Sequence, residues 1–422
     1  MIKYQNQLDH KIAILDNMLI QGNSINAYYV LYPYNYSMMD RQSVERHIEK
    51  LHNALSNLYN SLGEVTCSIF NLDNLISKQE IIQQLIKTVQ LYDPAYKNVP
   101  EMYQKYISSI NKNYTMLTIK INTKNYIDIE NQSIREIIQI TLNGFIQETL
   151  GVTSVNIDEQ SSKLQEARIR NILQRYVVPA PMKLIINAYI NSIFPSYNLV
   201  YDQHIVDNHA AILTSIKQEF IPHLGWFEMS NSGIVQFGGT PRTTYGSVLT
   251  ILQFPDAINT QNFNIKLPGM HVNMHMIPKD KAILKFKRMR AEMKQEWADA
   301  GLAMSSDNDA DVDLSMTERA LRDIREGRIA TELEANILVL ADTKEKLDEK
   351  KKKIISILSD INVICNIAAN QTQAYMSCFI KNNPKEYYHM MDLEYALSFQ
   401  LDQGVLVGDQ DSKYSAPVIG IA

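Results

Sequence analysis

The chain has 422 residues, a formal net charge of -5 and 45% hydrophobic residues. These values are typical of a globular protein with about two to four compact units. The negative charge argues against a protein whose main task is to neutralise nucleic-acid phosphates. Three cysteines, Cys67, Cys365 and Cys378, lie far apart and form no CxxC pair. Their spacing indicates reduced thiols in a cytosolic-type compartment. The apolar surroundings of Cys365 and Cys378 predict that these two thiols are buried and inert.

The first residues, MIKYQNQLDHKIAILDNMLI, lack the basic and apolar regions of a signal peptide. The most apolar stretch, MKLIINAYINSIF from Met182, is interrupted by Asn and Lys. It falls short of the ~18 uninterrupted apolar residues that a membrane-spanning helix needs. We therefore expect contact with a membrane only from the side or through a partner.

The first predicted section, residues 1–195, mixes strands and helices. Residues 25–36 are rich in Tyr and β-branched residues and predict a strand. Residues 40–63 predict an amphipathic helix, because Asp40 can cap its start and Gly63 can end it. Further strand patterns lie at 64–72 and 114–124.

The second section, 196–255, is dense in Gly, aromatic and β-branched residues and predicts short strands joined by turns. The third section, 256–422, alternates strands and helices with short connections. Together the three sections predict an α+β fold, in which mixed sheets are layered with amphipathic helices around a short β-rich middle section.

Two histidines four residues apart, His271 and His275, raise the question of a metal site in the segment HVNMHMIPKD. Pro278 follows closely, and polar and apolar residues alternate, so the segment predicts a strand with one polar, half-exposed face. At ~3.3 Å per residue, the two histidines lie ~13 Å apart on a strand. Ligands of one zinc ion must lie ~2 Å from it, so this pair predicts no shared metal.

The acidic segment DNDADVDLSMTE, 307–318, resembles the ligand pattern of a calcium-binding loop. Its sixth position holds Val312, where the sharp turn of such a loop needs glycine. A solvated acidic loop is therefore the favoured interpretation, and a calcium site is the weaker alternative. The candidate ligands are Asp307, Asp309, Asp311, Asp313 and Glu318.

A basic amphipathic helix is predicted at 281–294, KAILKFKRMRAEMK. Apolar residues recur at helical spacing, so the charges occupy the other side of the helix. The pattern favours a solvated helix face, and contact with acidic lipid headgroups, a partner protein or nucleic acid is the alternative. The basic residues are Lys281, Lys285, Lys287, Arg288, Arg290 and Lys294.

Motifs that would indicate an enzyme are missing from the sequence. It contains no GxxxxGK[ST] phosphate loop, no GxGxxG that opens a helix, no GxSxG and no HExxH. The glycine-rich segment GGTPRTTYG, 238–246, lacks the Lys-Ser/Thr of a phosphate loop and predicts a β-turn. The sequence therefore predicts no catalytic residue, no cofactor-binding residue and no cofactor for this chain.

The last half of the chain carries an ordered set of segments. TPRTTYGSVLTILQFP leads into HVNMHMIPKD, a long helix, an acidic break and a short helix that ends in REGR. EANILVLADTKEKLDEKKKKIISIL, NQTQAYMSC and LEYALSFQLDQGVLVGDQDSKYSAPVIGI come next. This order resembles the N-terminal region of VirB-type (TraC/TraE-like) assembly ATPases of type IV secretion and conjugation systems. The resemblance covers residues 200–422 and, in layout only, residues 1–200.

The resemblance implies a docking region on the cytoplasmic side of the membrane. In the family, a RecA-like domain that uses ATP and Mg²⁺ follows this region, so the resemblance implies a fragment that precedes the ATPase domain. It also implies contacts with inner-membrane channel proteins, homo-oligomers formed through the parent ATPase, and a role in DNA transfer without direct binding of nucleic acid. Membrane association would be peripheral and would run through partners.

Two other interpretations of the sequence stay open. The chain could be a stand-alone structural or assembly protein that shares only the layout. It could also be a self-contained enzyme whose site no motif reveals.

Overall fold

The computed structural model describes the chain in several stretches. The described residues are 2–3, 12–21, 24–34, 36, 39–76, 110–121, 157–193, 226–229, 235–238, 244–255, 267, 269–301, 318–371, 374–375, 378, 388–399 and 402.

The fold is α+β, as predicted. The strands are β1 Ile2–Lys3, β2 Ile12–Leu15, β3 Met18–Gln21, β4 Ser24–Leu31, β5 Val65–Ile76, β6 Ile110–Ile121, β7 Val177–Pro179, β8 Trp226–Met229, β9 Val235–Gly238, β10 Thr244–Gln253, β11 Met270–Met276, β12 Ala330–Ala341, β13 Ile364–Ile367 and β14 His389–Asp392. The helices are α1 Arg41–Leu62, α2 Ile157–Leu173, α3 Met182–Ile193, α4 Lys279–Gly301, α5 Lys344–Ser359 and α6 Leu393–Leu397. Residues 318–325 are also helical.

The described strands form one 14-stranded sheet in the order β1-β8-β9-β10-β12-β11-β5-β6-β4-β3-β2. Three short strands pair outside this order: β13 pairs with β10, β14 with β12 and β7 with β4. Every described pair of strands is antiparallel. The described strands therefore form one antiparallel sheet, whereas the sequence predicted mixed sheets. Strands from all three predicted sections belong to this sheet.

Helix α1 has the capping residues that its sequence predicts. The Oδ1 atom of Asp40 accepts a hydrogen bond from the Ser43 N–H at 2.7 Å, which satisfies one of the free donors of the first turn. Gly63 ends the helix with a φ of 78°, a left-handed conformation that favours glycine. The side of α1 that faces the sheet is apolar and includes Val44, Ile48 and Leu55.

Helices cover both faces of the sheet. Helices α1, α2, α5 and α6 share one core with β11 and β12, in which Leu58, Leu347 and Ala396 are fully buried. Helix α3 and the neighbourhood of Cys378 form a second core on the other face. Burial of these apolar side chains supplies the main favourable term for folding.

A third, smaller core lies between α4 and the helical residues 318–325. Phe286 from α4 and Leu321 and Ile324 from 318–325 pack there with Ile277, which follows β11. The basic helix is thereby held at the end of β11.

Gly269 fixes the entry into β11. Its φ is 76°, and a β-carbon at this position would lie 2.1 Å from the backbone oxygen of Leu338. The Leu338 N–H donates to the Gly269 oxygen at 2.8 Å, so the two backbones are in direct contact. Only glycine fits this approach without a shift of the backbone.

The strand prediction for the histidine segment is confirmed, since β11 spans Met270–Met276 between β12 and β5. Strand β14 and helix α6 were not predicted. Within the described residues, no helix combines the length and the apolar character that crossing a membrane requires.

Candidate functional site

The start of the basic helix α4 is tied to α1. Tyr59 of α1 accepts a hydrogen bond from the Lys279 N–H at 3.1 Å and donates one to the Ile277 oxygen at 3.2 Å. The Lys279 Nζ atom donates to the Arg325 oxygen at 2.9 Å, at the end of the helical segment 318–325. The first turn of α4 therefore has a fixed position relative to both neighbours.

A charged network links α4 to the sheet through His275. The Nε2 atom of His275 lies 2.7 Å from Glu64 Oε1, and its Nδ1 atom lies 3.1 Å from Glu332 Oε2. Ionised carboxylates only accept hydrogen bonds, so this arrangement favours the protonated ring, which donates from both nitrogens. Lys281 contacts Glu64 at 3.2 Å, and Lys285 contacts the buried Glu332.

The pKa of Glu64 reflects this network. Partial burial raises the pKa of its carboxyl, but hydrogen bonds from His275 and Lys281, together with their positive charge, outweigh burial and lower the pKa overall. The network contains two carboxylates, Glu64 and Glu332, and three basic groups, His275, Lys281 and Lys285. Two of the predicted contact residues, Lys281 and Lys285, therefore also hold α4 against the sheet.

The remaining predicted contact residues lie further along α4. Lys287 and Arg288 are exposed. Arg290 lies 3.7 Å from Glu318, which belongs to the helical segment 318–325. Lys294 lies within α4, and its side chain is outside the described residues.

His271, on the same side of β11 as His275, is buried rather than half-exposed. Its ring stacks on Phe70 with centroids 5.5 Å apart, and 7% of the residue is accessible. Burial lowers the pKa of His271 to about 4, and a hydrogen bond with the Cys378 backbone opposes this shift. The prediction of a half-exposed face is wrong here because the core around α3 covers this end of the strand.

Neighbouring polar residues continue the polar side of β11 into the sheet. Ser68 of β5 donates to Asn273 at 2.6 Å. Thr250 of β10 donates to Asn336 of β12 at 2.7 Å, and Asn336 donates to Glu334 at 3.0 Å. These pairs satisfy polar groups that would destabilise the fold if buried alone.

A cavity of about 420 Å³ lies beside the start of α4. Arg328 and Asp392 line it and contact each other at 3.2 Å. Ser56 also lines it, and its buried Oγ atom has no hydrogen-bond partner among the described residues. The other lining residues are His52, Tyr59, Asn60, Lys279, Glu326, Gly327, Ile329, Leu393 and Glu394.

A second polar cluster joins Asp402 to the N-terminal part of the chain. Its carboxylate accepts from Tyr36 at 2.5 Å and lies 2.6 Å from the Nε2 atom of His47 on α1. The Asp402 backbone oxygen accepts from the Tyr34 N–H at 3.0 Å, and the Tyr34 ring stacks on His47 with centroids 3.7 Å apart. Burial is the main cause that raises the pKa of Tyr36, and the negative charge of Asp402 raises it further. Residue 402 is thereby anchored to α1.

The calcium hypothesis falls mostly outside the described residues. Asp307, Asp309, Asp311 and Asp313 are among those that the structure does not describe, and Glu318 contacts Arg290. In the part of the chain that is described, no group of three or more His, Cys, Asp or Glu side chains could hold a metal ion.

All three cysteines are free and buried, which confirms the burial predicted for Cys365 and Cys378. Burial raises the pKa of Cys67 and Cys365 to about 12 and that of Cys378 well above its usual value. Such thiols stay protonated at neutral pH and are poor nucleophiles.

The charged network and the Asp402 cluster were not predicted from the sequence. Their members are far apart along the chain: His275 and Glu64 are separated by 211 positions, and Asp402 and Tyr36 by 366. The alternation in β11 did place His275 on a polar side, but it could not identify the carboxylates opposite. No protein-family model and no curated protein matches the chain.

Proposed function

We propose that this chain is the docking and assembly region of a type IV secretion (conjugation) ATPase. It contacts inner-membrane channel proteins and neighbouring subunits on the cytoplasmic side of the membrane. Hydrolysis of ATP with Mg²⁺ belongs to a further domain of the parent protein, and the region does not bind nucleic acid directly. The single observation that carries the proposal is the order of segments from TPRTTYGSVLTILQFP to SAPVIGI.

One structural feature supports this role. Helix α4 presents Lys287 and Arg288 on its outer side, where a partner can reach them. A docking region needs such an accessible charged surface.

The first test is ATP binding by calorimetry, on this chain and on any longer product of the same reading frame. We expect binding and hydrolysis only for a longer product that includes a phosphate loop. Tight ATP binding by this chain alone would instead favour a self-contained enzyme. If the reading frame gives no longer product, the proposal fails, because the ATPase domain that it requires does not follow.

The second test is site-specific crosslinking to channel proteins encoded beside this chain. A photo-crosslinker at position 288 is expected to capture one of those proteins. A crosslinker at position 353, exposed on α5, is the matched control, because it places the same group on a different basic helix. Equal capture at both positions contradicts docking through α4.

A further inference from the structure

The outer sides of α4 and of the helical segment 318–325 form one surface, which we call the two-helix surface. The two helices are antiparallel, because Lys279 contacts Arg325 at one end and Arg290 approaches Glu318 at the other. Both bury one side in the same small core, around Phe286. Their opposite sides therefore face outwards together.

The exposed positions of this surface carry more cations than anions. The exposed charged side chains are the basic Lys279, Lys281, Lys287, Arg288, Arg319, Arg322, Arg325 and Arg328 and the acidic Asp280, Glu292, Glu318 and Glu326. Two of these cations, Lys281 and Arg328, contact the carboxylates of Glu64 and Asp392. A local excess of cations creates a positive potential that attracts an anionic partner.

Five of these basic side chains are exposed and make neither an ion pair nor a side-chain hydrogen bond with any described residue: Lys287, Arg288, Arg319, Arg322 and Arg325. The arginines at 319, 322 and 325 follow at spacings of three, so they share one side of their segment. By contrast, Lys281 and Arg290 contact carboxylates. Within the part of the chain that the structure describes, these five side chains have no partner, so an external anion can contact them.

An exposed leucine lies among the charges. Leu284 is 52% exposed, and Lys281, Lys287 and Arg288 are its neighbours at helical spacings of three and four. An apolar side chain surrounded by basic ones suits the headgroup region of a bilayer, where the leucine enters the apolar boundary and the cations contact phosphates. A nucleic-acid backbone offers no equivalent place for the leucine.

We propose that the two-helix surface binds the headgroups of an anionic phospholipid bilayer directly. This inference rests on the proposed function, because it assigns to the docking region a lipid contact in addition to its protein partners. The contact would orient α4 parallel to the membrane, with the sheet behind it.

The test is co-sedimentation of the whole chain with vesicles of phosphatidylglycerol and phosphatidylcholine, and with vesicles of phosphatidylcholine alone. We expect binding only to the anionic vesicles, weakened by salt. Each basic residue near such a surface contributes about 1 kcal/mol, or about fivefold in partitioning. The double variant Lys287→Gln/Arg288→Gln should therefore bind about 25-fold more weakly, and Leu284→Ser several-fold more weakly.

The matched control is Lys352→Gln/Lys353→Gln, which removes two exposed charges from α5. This variant should bind vesicles like the unchanged chain. Equal losses in both double variants, or an unchanged Leu284→Ser, would overturn the proposal, because binding would then follow net charge alone. Binding to double-stranded DNA without binding to anionic vesicles would also overturn it. ATP binding by this chain would refute the proposed function without affecting the vesicle result.

Discussion

The two ends of strand β11 place the same residue type in opposite environments. His271 and His275 lie on the same side of the strand, yet one is buried beside Phe70 and the other lies between two carboxylates. The difference comes from what packs over each end: the core around α3 covers His271, whereas α4 brings cations to the end that holds His275. Strand alternation sets the direction in which a side chain points. The element that packs over the side chain determines whether it is neutral or charged.

The strongest test of the buried end is Gly269→Ala. The new β-carbon would meet the Leu338 backbone oxygen at 2.1 Å, in a left-handed conformation that alanine disfavours. We expect the free energy of unfolding to fall by about 3 kcal/mol or more, since the strand must shift. Urea denaturation followed by circular dichroism measures this loss.

Gly63→Ala is the matched control. Gly63 has nearly the same φ, 78°, but nothing lies within 4 Å of its would-be β-carbon. Gly63→Ala should lower the free energy of unfolding only by the conformational strain of alanine, about 1 kcal/mol. If both variants lost the same stability, the close approach at Gly269 would have no energetic role.

The second prediction concerns pH and His271. Its pKa is lowered from 6.5 to about 4, so the unfolded chain takes up a proton below pH 6.5 while the folded chain does not. The contribution of His271 to stability should therefore be constant above pH 6.5 and should fall as the pH drops towards 4, by about 3 kcal/mol. His271→Gln should flatten this part of the stability profile, as measured by urea denaturation across the range.

A variant at the other end of the strand completes this experiment. His275→Gln leaves His271 in place and should keep the fall in stability between pH 6.5 and 4. A profile that is flattened by His275→Gln, and not by His271→Gln, would contradict the contrast between the two ends.

The smallest expected effect belongs to Glu64→Gln at the charged end. The pKa of Glu64 is lowered in the folded state, so its contribution is present above the ordinary carboxyl pKa of 4.5 and is lost as the pH falls through the lowered value. The side chain is one-third exposed, so solvent limits the loss at neutral pH to about 1 kcal/mol or less. Thermal unfolding at neutral and acidic pH measures it.

Glu45→Gln provides the comparison, because it breaks the exposed contact of Glu45 with Arg41 at 2.8 Å. We expect no measurable change in this variant. A loss equal to that of Glu64→Gln would mean that the network around His275 stabilises no more than an ordinary surface pair.

Local chemistry made much of the fold predictable. The capping residues Asp40 and Gly63 place the ends of α1, and alternation identifies β11 as a strand. These signals act over a few residues, so one sequence suffices to recognise them. The pairing of β11 with β5 and β12 was not predictable, because strands of similar character offer many partners and only the complete packing selects among them.

The candidate surface was predictable in part for the same reason. Helical spacing identified the basic side of α4, including Lys287 and Arg288, from residues 281–294 alone. The spacing could not show that Lys285 contacts Glu332, or that Arg319 and Arg322 join the same surface. Both facts depend on the third core, whose members come from separate parts of the chain.

The anchoring of Asp402 has a mechanical consequence. A force applied to Asp402 would load the hydrogen bonds that join this residue to Tyr34, Tyr36 and His47. Because His47 belongs to α1, the load would pass into that helix, and through Tyr59 to the start of α4. A force on Asp402 would thus reach the start of the basic helix through a short series of contacts.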